Sequence, residues 1–257
     1  MARRISIFVF GVLSYALFFG VFLYAAGFMT NLFVPKSLDS GPAPGVVTAL
    51  AVNFGLLAIF ALQHSVMARP AFKRWWTRIV PSEAERSVYV LASSVAMIAL
   101  FAFWQPLPGA VFELEHPALR ALAYGVCALG YLIVLYSTFL IDHFDLFGLR
   151  QSWLALRAIP YTPHPFRTPS LYRYVRHPLY VGWLLFFWAT PVMTVGHLLI
   201  ALGITGYILI AIVFEERDLL QHFGADYRAW RARTPLLIPR LRKRAAKPRS
   251  RGVAEPA

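Results

Sequence analysis

Charge is scarce in this chain. Asp, Glu, Lys and Arg make up 14% of its 257 residues, against about 25% in an ordinary soluble domain, and long stretches hold none at all. With 58% of the residues apolar, that shortage excludes a soluble globule and a disordered chain. Acids are scarcer than bases, 12 Asp and Glu against 25 Lys and Arg, so the placement of the excess base decides whether nucleic acid is a partner. Cysteine is all but missing. Cys127 is alone and sits in an apolar run, which excludes an intramolecular disulfide and a cysteine-based zinc site and makes the residue a small core hydrophobe. The chain also lacks the glycine-rich strand–turn–helix fingerprint of soluble nucleotide-binding folds and any repeat of fixed period. No metal is expected.

What it has instead is six uncharged apolar segments, at residues 5–29, 45–67, 87–104, 121–141, 178–195 and 197–214. Each holds roughly the ~20 residues that a helix needs to cross the hydrocarbon core. The first follows Arg3 and Arg4, but it is too long for the apolar region of a signal peptide. The fold expected is therefore an all-α integral membrane protein with about six transmembrane helices. The last two are separated only by residues 195–197 and form a C-terminal helical hairpin. After Glu216, the residues Leu219, Leu220, Phe223, Tyr227 and Trp230 recur at helical spacing with Arg228, Arg231 and Arg233 between them. That pattern predicts an interfacial amphipathic helix. Residues 1–240 read as one polytopic domain and residues 241–257 as a basic, disordered tail.

With the N-terminus placed in the cytoplasm, every Lys and Arg except Lys36 and Arg120 falls on the cytoplasmic side, as the positive-inside rule requires. Both termini are then cytoplasmic, and a bacterial inner membrane is the expected location. The basic excess reads as a topology signal and an affinity for the anionic headgroups of a lipid bilayer, and no nucleic-acid partner is expected.

The same topology gathers ionisable groups at the cytoplasmic ends of the segments, where they are costly and point to function. Gln63 and His64 lie near the end of the second segment, Asp142, His143 and Asp145 follow the fourth, Arg176 and His177 open the fifth, and Glu215 and Glu216 close the sixth. Pro178 suits the first position of a helix, whose N–H groups would favour an anion, and Arg176 adds a partner for a carboxylate. An arginine snorkelling to headgroups beside an ordinary helix start fits the local sequence equally well. Gly182 lets a backbone or a ligand approach closely. Two carboxylates at a helix C-terminus oppose the macrodipole and call for a cation, either Arg176, Arg217 or a ligand. A zwitterionic ligand with hydroxyls suits such a site, and S-adenosylmethionine is one that fits.

Arg176-His177-Pro178-x-Tyr180-x-Gly182, Glu215-Glu216-x-x-Leu219, Phe223-Gly224-x-x-Tyr227 and Pro239-Arg240 together resemble the C-terminal motif of the isoprenylcysteine carboxyl methyltransferase superfamily, with Trp230 where many members carry a second tyrosine. Residues 62–69, Trp75-Trp76, residues 85–89 and residues 142–149 resemble the nurim family within it, so the likeness covers roughly residues 1–240. It implies S-adenosylmethionine as methyl donor, held by Arg176, His177, Pro178, Tyr180, Glu215 and Glu216, and a small thiol, methanethiol, as acceptor. Such a thiol is a poor nucleophile until it loses its proton, and His64, Asp142 and His143 are the candidate catalytic groups for that step. Two other readings stay open. One is methylation of a prenylcysteine carboxylate or an amine lipid; the other is a non-catalytic membrane protein like nurim itself.

Overall fold

The computed structural model describes residues 1–107 and 109–239. The expected tail at 241–257 lies outside the described residues. Helices α1 (Ala2–Thr30), α2 (Val46–Ala68), α4 (Ser82–Phe103), α5 (Pro117–Ile141) and α9 (Val195–Arg233) are each long and apolar enough to cross a membrane. The protein is an all-α multi-pass membrane protein. Short helices α3 (Pro70–Trp76), α6 (His143–Leu146) and α7 (Leu149–Arg157) connect or brace them at the end that carries most of the base. At the opposite end, strands β1 (Ala110–Glu113) and β2 (Val192–Thr194) pair antiparallel in a small ribbon.

The fifth apolar segment departs from expectation. Its helix, α8 (Pro178–Trp188), has 11 residues, about 16 Å of rise against a core of about 30 Å. Thr190 precedes Pro191, which pushes it out of helical backbone, and residues 189–194 run on into β2. His177 lies beside Glu216 and β2 leads directly into α9. Helix and extended segment together therefore cover the ~31 Å that α9 rises between Val195 and Glu216. The link of the hairpin is thus 189–194 rather than 195–197, and His197 lies inside α9 with its Nε2 2.8 Å from the Phe187 carbonyl.

The amphipathic segment after Glu216 is no separate helix at its start, because α9 continues unbroken as far as Gly224. There φ 54° and ψ −118° reverse the chain, in a region open to glycine and to few other residues. The reversal has a direct consequence. Arg231 Nε stands 3.2 Å from Glu216 Oε2, whereas a straight helix would hold the two residues ~22 Å apart.

Two groups of helices pack within themselves. In one, α5 lies against α8 along its length; in the other, α1 packs on α4 and α7, and α4 on α2. The first contact depends on Gly130 and Gly182. A methyl group on Gly182 would stand 2.7 Å from the Gly130 carbonyl and 2.8 Å from the Val134 amide. Small residues let two backbones approach in this way where lipid supplies no hydrophobic drive. The backbone that Gly182 admits is that of α5. Near the ribbon end, Phe28, Leu38, Leu100 and Trp104 join Phe186 and Ile200 in a buried core. Toward the basic end the two groups part, and α9, which touches both α2 and α8, bounds a cavity of about 1530 Å³.

Candidate active site

The cavity has two chemically unlike ends. At the first, α8 starts beside the middle of α9. Arg176 donates to Glu216 Oε1, His177 Nε2 stands 3.3 Å from the same oxygen, and Arg231 reaches Oε2. Glu216 is only 7% exposed, and a carboxylate at that depth is tolerable because three cationic or titratable groups surround it. Glu215 faces the other way. Its side chain is 43% exposed, it accepts from the Tyr180 hydroxyl at 2.8 Å, and it lies 3.7 Å from His177 Nδ1. Arg176, His177, Tyr180 and Glu215 line the cavity. Pro178 is fully buried at the first position of α8, and it and Glu216 stand in the wall behind.

The amides at this helix start are largely occupied. Those of Arg176 and His177 donate to the carbonyls of Pro235 and Leu236 at 2.9 and 3.3 Å, and those of Tyr180 and Val181 to His177. The chain that turns back at Gly224 thus lies across the start of α8, and attraction for an anion falls to the guanidinium instead. Arg176 Nε is a buried donor without a partner, as is the Tyr227 hydroxyl, and both residues line the cavity. Orphaned donors of this kind are rare in a folded chain. Together with the open edge of Glu215 they fit a ligand bearing a carboxylate along with a cation or hydroxyls.

The second end is aromatic, flanked by the Arg86 guanidinium 4.9 Å over the Tyr89 ring. His64 on α2 lies 2.9 Å through Nε2 from the Tyr89 hydroxyl and 3.2 Å through Nδ1 from Ser93 Oγ. Both partners are on α4, one turn apart. Phe60, Tyr89 and Tyr207 surround the imidazole with ring centroids 5.1–6.3 Å away, and Ser65 donates to the Tyr207 hydroxyl at 3.3 Å. Tyr207, Ala211 and Glu215 follow one another on a single face of α9 at four-residue spacing, so this box of rings lies two turns, ~12 Å, from the charged end.

The other two residues singled out from the sequence are more fully engaged. Thr138 donates its hydroxyl proton to the Leu135 carbonyl at 2.6 Å, so its oxygen accepts from His143 Nδ1–H at 2.7 Å, and His143 Nε2 accepts from the Tyr15 hydroxyl at 2.8 Å. Both ring nitrogens are used by a neutral imidazole, and burial holds the pKa of His143 below the ordinary histidine value. Asp142 Oδ1 accepts from the Asp145 amide and Oδ2 lies 2.7 Å from His164 Nε2. With Arg150 on Asp145 at 2.8 Å and Tyr161 on the same carboxylate, it ties the segment 158–169 across the basic end of the cavity. Among the described residues no cluster of His, Cys, Asp and Glu is arranged to hold a metal ion.

Comparison with known proteins then settles the family. Over 241 residues, 94% of this chain and 93% of the relative, the sequence is 52% identical to methanethiol S-methyltransferase 2 of Bradyrhizobium diazoefficiens. It is 50% identical to the methanethiol S-methyltransferase of Crocosphaera subtropica, over 94% of the chain and 95% of that protein. The chain belongs to the methanethiol S-methyltransferase family. Nurim of Xenopus laevis is 29% identical over 66% of the chain and 62% of its own length. No protein-family model and no solved structure matches the chain.

The sequence alone gave no site role to Phe60, Tyr89, Ser93 or Tyr207, and it marked Tyr227 and Arg231 only as parts of the amphipathic segment. Serines and tyrosines within apolar segments read as core, and only the packing of α2, α4 and α9 brings them to one point. For Arg231 the signal was Gly224, the residue at which the helix turns back.

Proposed function

We propose that this protein is a bacterial inner-membrane enzyme that transfers the sulfonium methyl of S-adenosylmethionine to methanethiol, giving dimethyl sulfide and S-adenosylhomocysteine. The observation that carries the reading is the pairing of nearly full-length similarity to proteins named for methanethiol methylation with one cavity that has a charged end and a neutral end. The donor, when bound, supplies a methyl group made electrophilic by a cationic sulfur. Arg176 and Tyr227, with their unpartnered donors, meet a carboxylate. Glu215, oriented by Tyr180, accepts from ammonium or ribose hydroxyl groups. His177 and Glu216 fix the guanidinium of Arg176, and Pro178 sets where the helix begins.

At the neutral end His64 receives the thiol proton, the thiol taking the place of the longer of its two hydrogen bonds, that between Nδ1 and Ser93 Oγ at 3.2 Å. His64 is favoured over His143 because its hydrogen bonds are the longer, 2.9 and 3.2 Å against 2.7 and 2.8 Å, and over Asp142 because that carboxylate is bound to His164 and to a backbone amide. Asp142 and His143 instead shape the basic end. Holding the two reactants in line supplies more of the acceleration than the base does. Lys and Arg placement sets the charged end and both termini in the cytoplasm, with anionic headgroups around it.

Headspace analysis of cells that express the protein tests the reading. Dimethyl sulfide is expected when methanethiol is fed, and its absence in membranes holding folded protein would refute the reaction. Reporter fusions after Pro108 and after Pro239 are expected in opposite compartments; the same compartment for both would refute the orientation.

A further inference from the structure

Methanethiol has two heavy atoms, and the cavity is far larger than it and a donor require. Ligand pockets commonly measure about 300–1,000 Å³, against about 1530 Å³ here. Part of the surplus has a definite place. Beyond the His64 box the cavity continues toward the ribbon end, lined by Val21 of α1, Met97 of α4, Trp183 and Phe187 of α8 and Ile204 of α9. All five are partly buried and pack around the apolar core. From Tyr89 to Met97 the lining follows α4 for eight residues, ~12 Å, and from Tyr180 to Phe187 it follows α8 for about the same. The one hydroxyl on this stretch of α4 beyond Ser93 is Ser94, and it already donates to the Val90 carbonyl at 2.8 Å. On the α4 side the arm thus asks for no hydrogen bond, and it opens from the point where the thiol sulfur is to sit.

We propose that this arm takes the hydrocarbon part of the acceptor, so that the enzyme also S-methylates longer apolar thiols, with straight alkyl chains of up to about eight carbons entering the arm and the sulfur remaining at His64. The inference rests on the reading of the site as a thiol methyltransferase. The thiol sulfur forms a bond to the transferred methyl carbon as the donor's own carbon–sulfur bond breaks. The electron pair of that bond stays on the donor sulfur, and the thiol proton passes to His64. A neutral alkyl methyl sulfide, a neutral donor product and one proton leave. Chain length alters only what fills the arm.

The test is methyl transfer by the purified protein in lipid nanodiscs to methanethiol, ethanethiol, 1-butanethiol, 1-hexanethiol and 1-octanethiol, each referenced to its free aqueous concentration, with partition into protein-free discs measured and subtracted. KM is expected to fall about fourfold for each added methylene, the value of moving one such group out of water, until the arm is full. Ile204→Trp and Met97→Phe, which narrow the arm, should lower hexanethiol kcat/KM at least tenfold and leave methanethiol within twofold. Binding is read separately. Hexyl methyl sulfide should change the emission of Trp183, obtained as the difference between the wild type and Trp183→Phe. Turnover of methanethiol without hexanethiol, or narrowing variants that act equally on every chain length, would overturn the arm and spare the methanethiol reading. Turnover of hexanethiol without methanethiol would uphold the arm and remove methanethiol as the acceptor. No turnover of any thiol by folded protein would overturn both.

Discussion

The two ends of the cavity solve opposite problems with opposite residues. At the charged end, Glu216 is buried among Arg176, His177 and Arg231 before any ligand arrives, because an unpaired charge at that depth would cost several kcal/mol. Arg176 Nε and the Tyr227 hydroxyl remain buried without a partner there, and Glu215 keeps an exposed edge. The neutral end holds an imidazole with hydroxyl and aromatic neighbours, and Arg86 stands over the Tyr89 ring at 4.9 Å. A ligand that carries full charges needs the first kind of site, and a small apolar thiol needs the second. On the proposed function the contrast separates the donor from the acceptor.

Breaking the neutral end should produce the largest effect. His64→Ala is expected to slow turnover by ~10²–10⁴-fold, the usual loss for a general base, and raising the pH should restore part of the rate because more of the thiol is then ionised. Rates for purified protein across several pH values check this. At the charged end, Arg176→Ala and Glu216→Ala each strand a buried partner, at ~2–5 kcal/mol. Calorimetry should show the affinity for S-adenosylhomocysteine reduced accordingly, with membrane insertion unchanged. Gly182→Ala touches neither end but forces α8 off α5, and its thermal unfolding should reveal ~1–3 kcal/mol of lost stability.

Smaller effects sharpen the distinction between acting and supporting residues. Tyr89→Phe removes one hydrogen bond to His64, worth about 1 kcal/mol, and should lower kcat about fivefold with little change in KM. His143 is the supporting counterpart. Its folded pKa lies below the ordinary value of about 6.5, so below that pH the unfolded chain takes up a proton that the folded chain resists. Its contribution to stability is therefore full above pH ~6.5 and lost as the pH falls through and below that value. Melting temperatures measured from pH 7.5 to pH 5 should fall less steeply for His143→Gln than for the wild type, with turnover at neutral pH reduced by no more than a few fold.

The sequence disclosed much of this arrangement where one residue or one run carries the signal. Five of the six apolar runs became long helices because nothing interrupts them. The exception, the fifth run, stopped at Trp188, and Pro191 was the visible cause. Arg176, His177, Tyr180 and Glu215 could be read as one constellation because α8 and α9 are consecutive and must return side by side. Tyr89, Ser93 and Tyr207 could not, since they approach His64 from two helices whose packing no local pattern specifies. Arg231 was legible only as a polar-face residue until the turn at Gly224 brought it back to Glu216.

The central claim is that the two ends perform separable tasks, and one measurement meets it most directly: the affinity of His64→Ala for S-adenosylhomocysteine, determined by calorimetry beside the wild type. Affinity within about twofold of the wild type, in a variant that no longer turns over, is the predicted result. A loss of donor affinity as large as that of Arg176→Ala would place His64 in the donor site and contradict the division between the two ends.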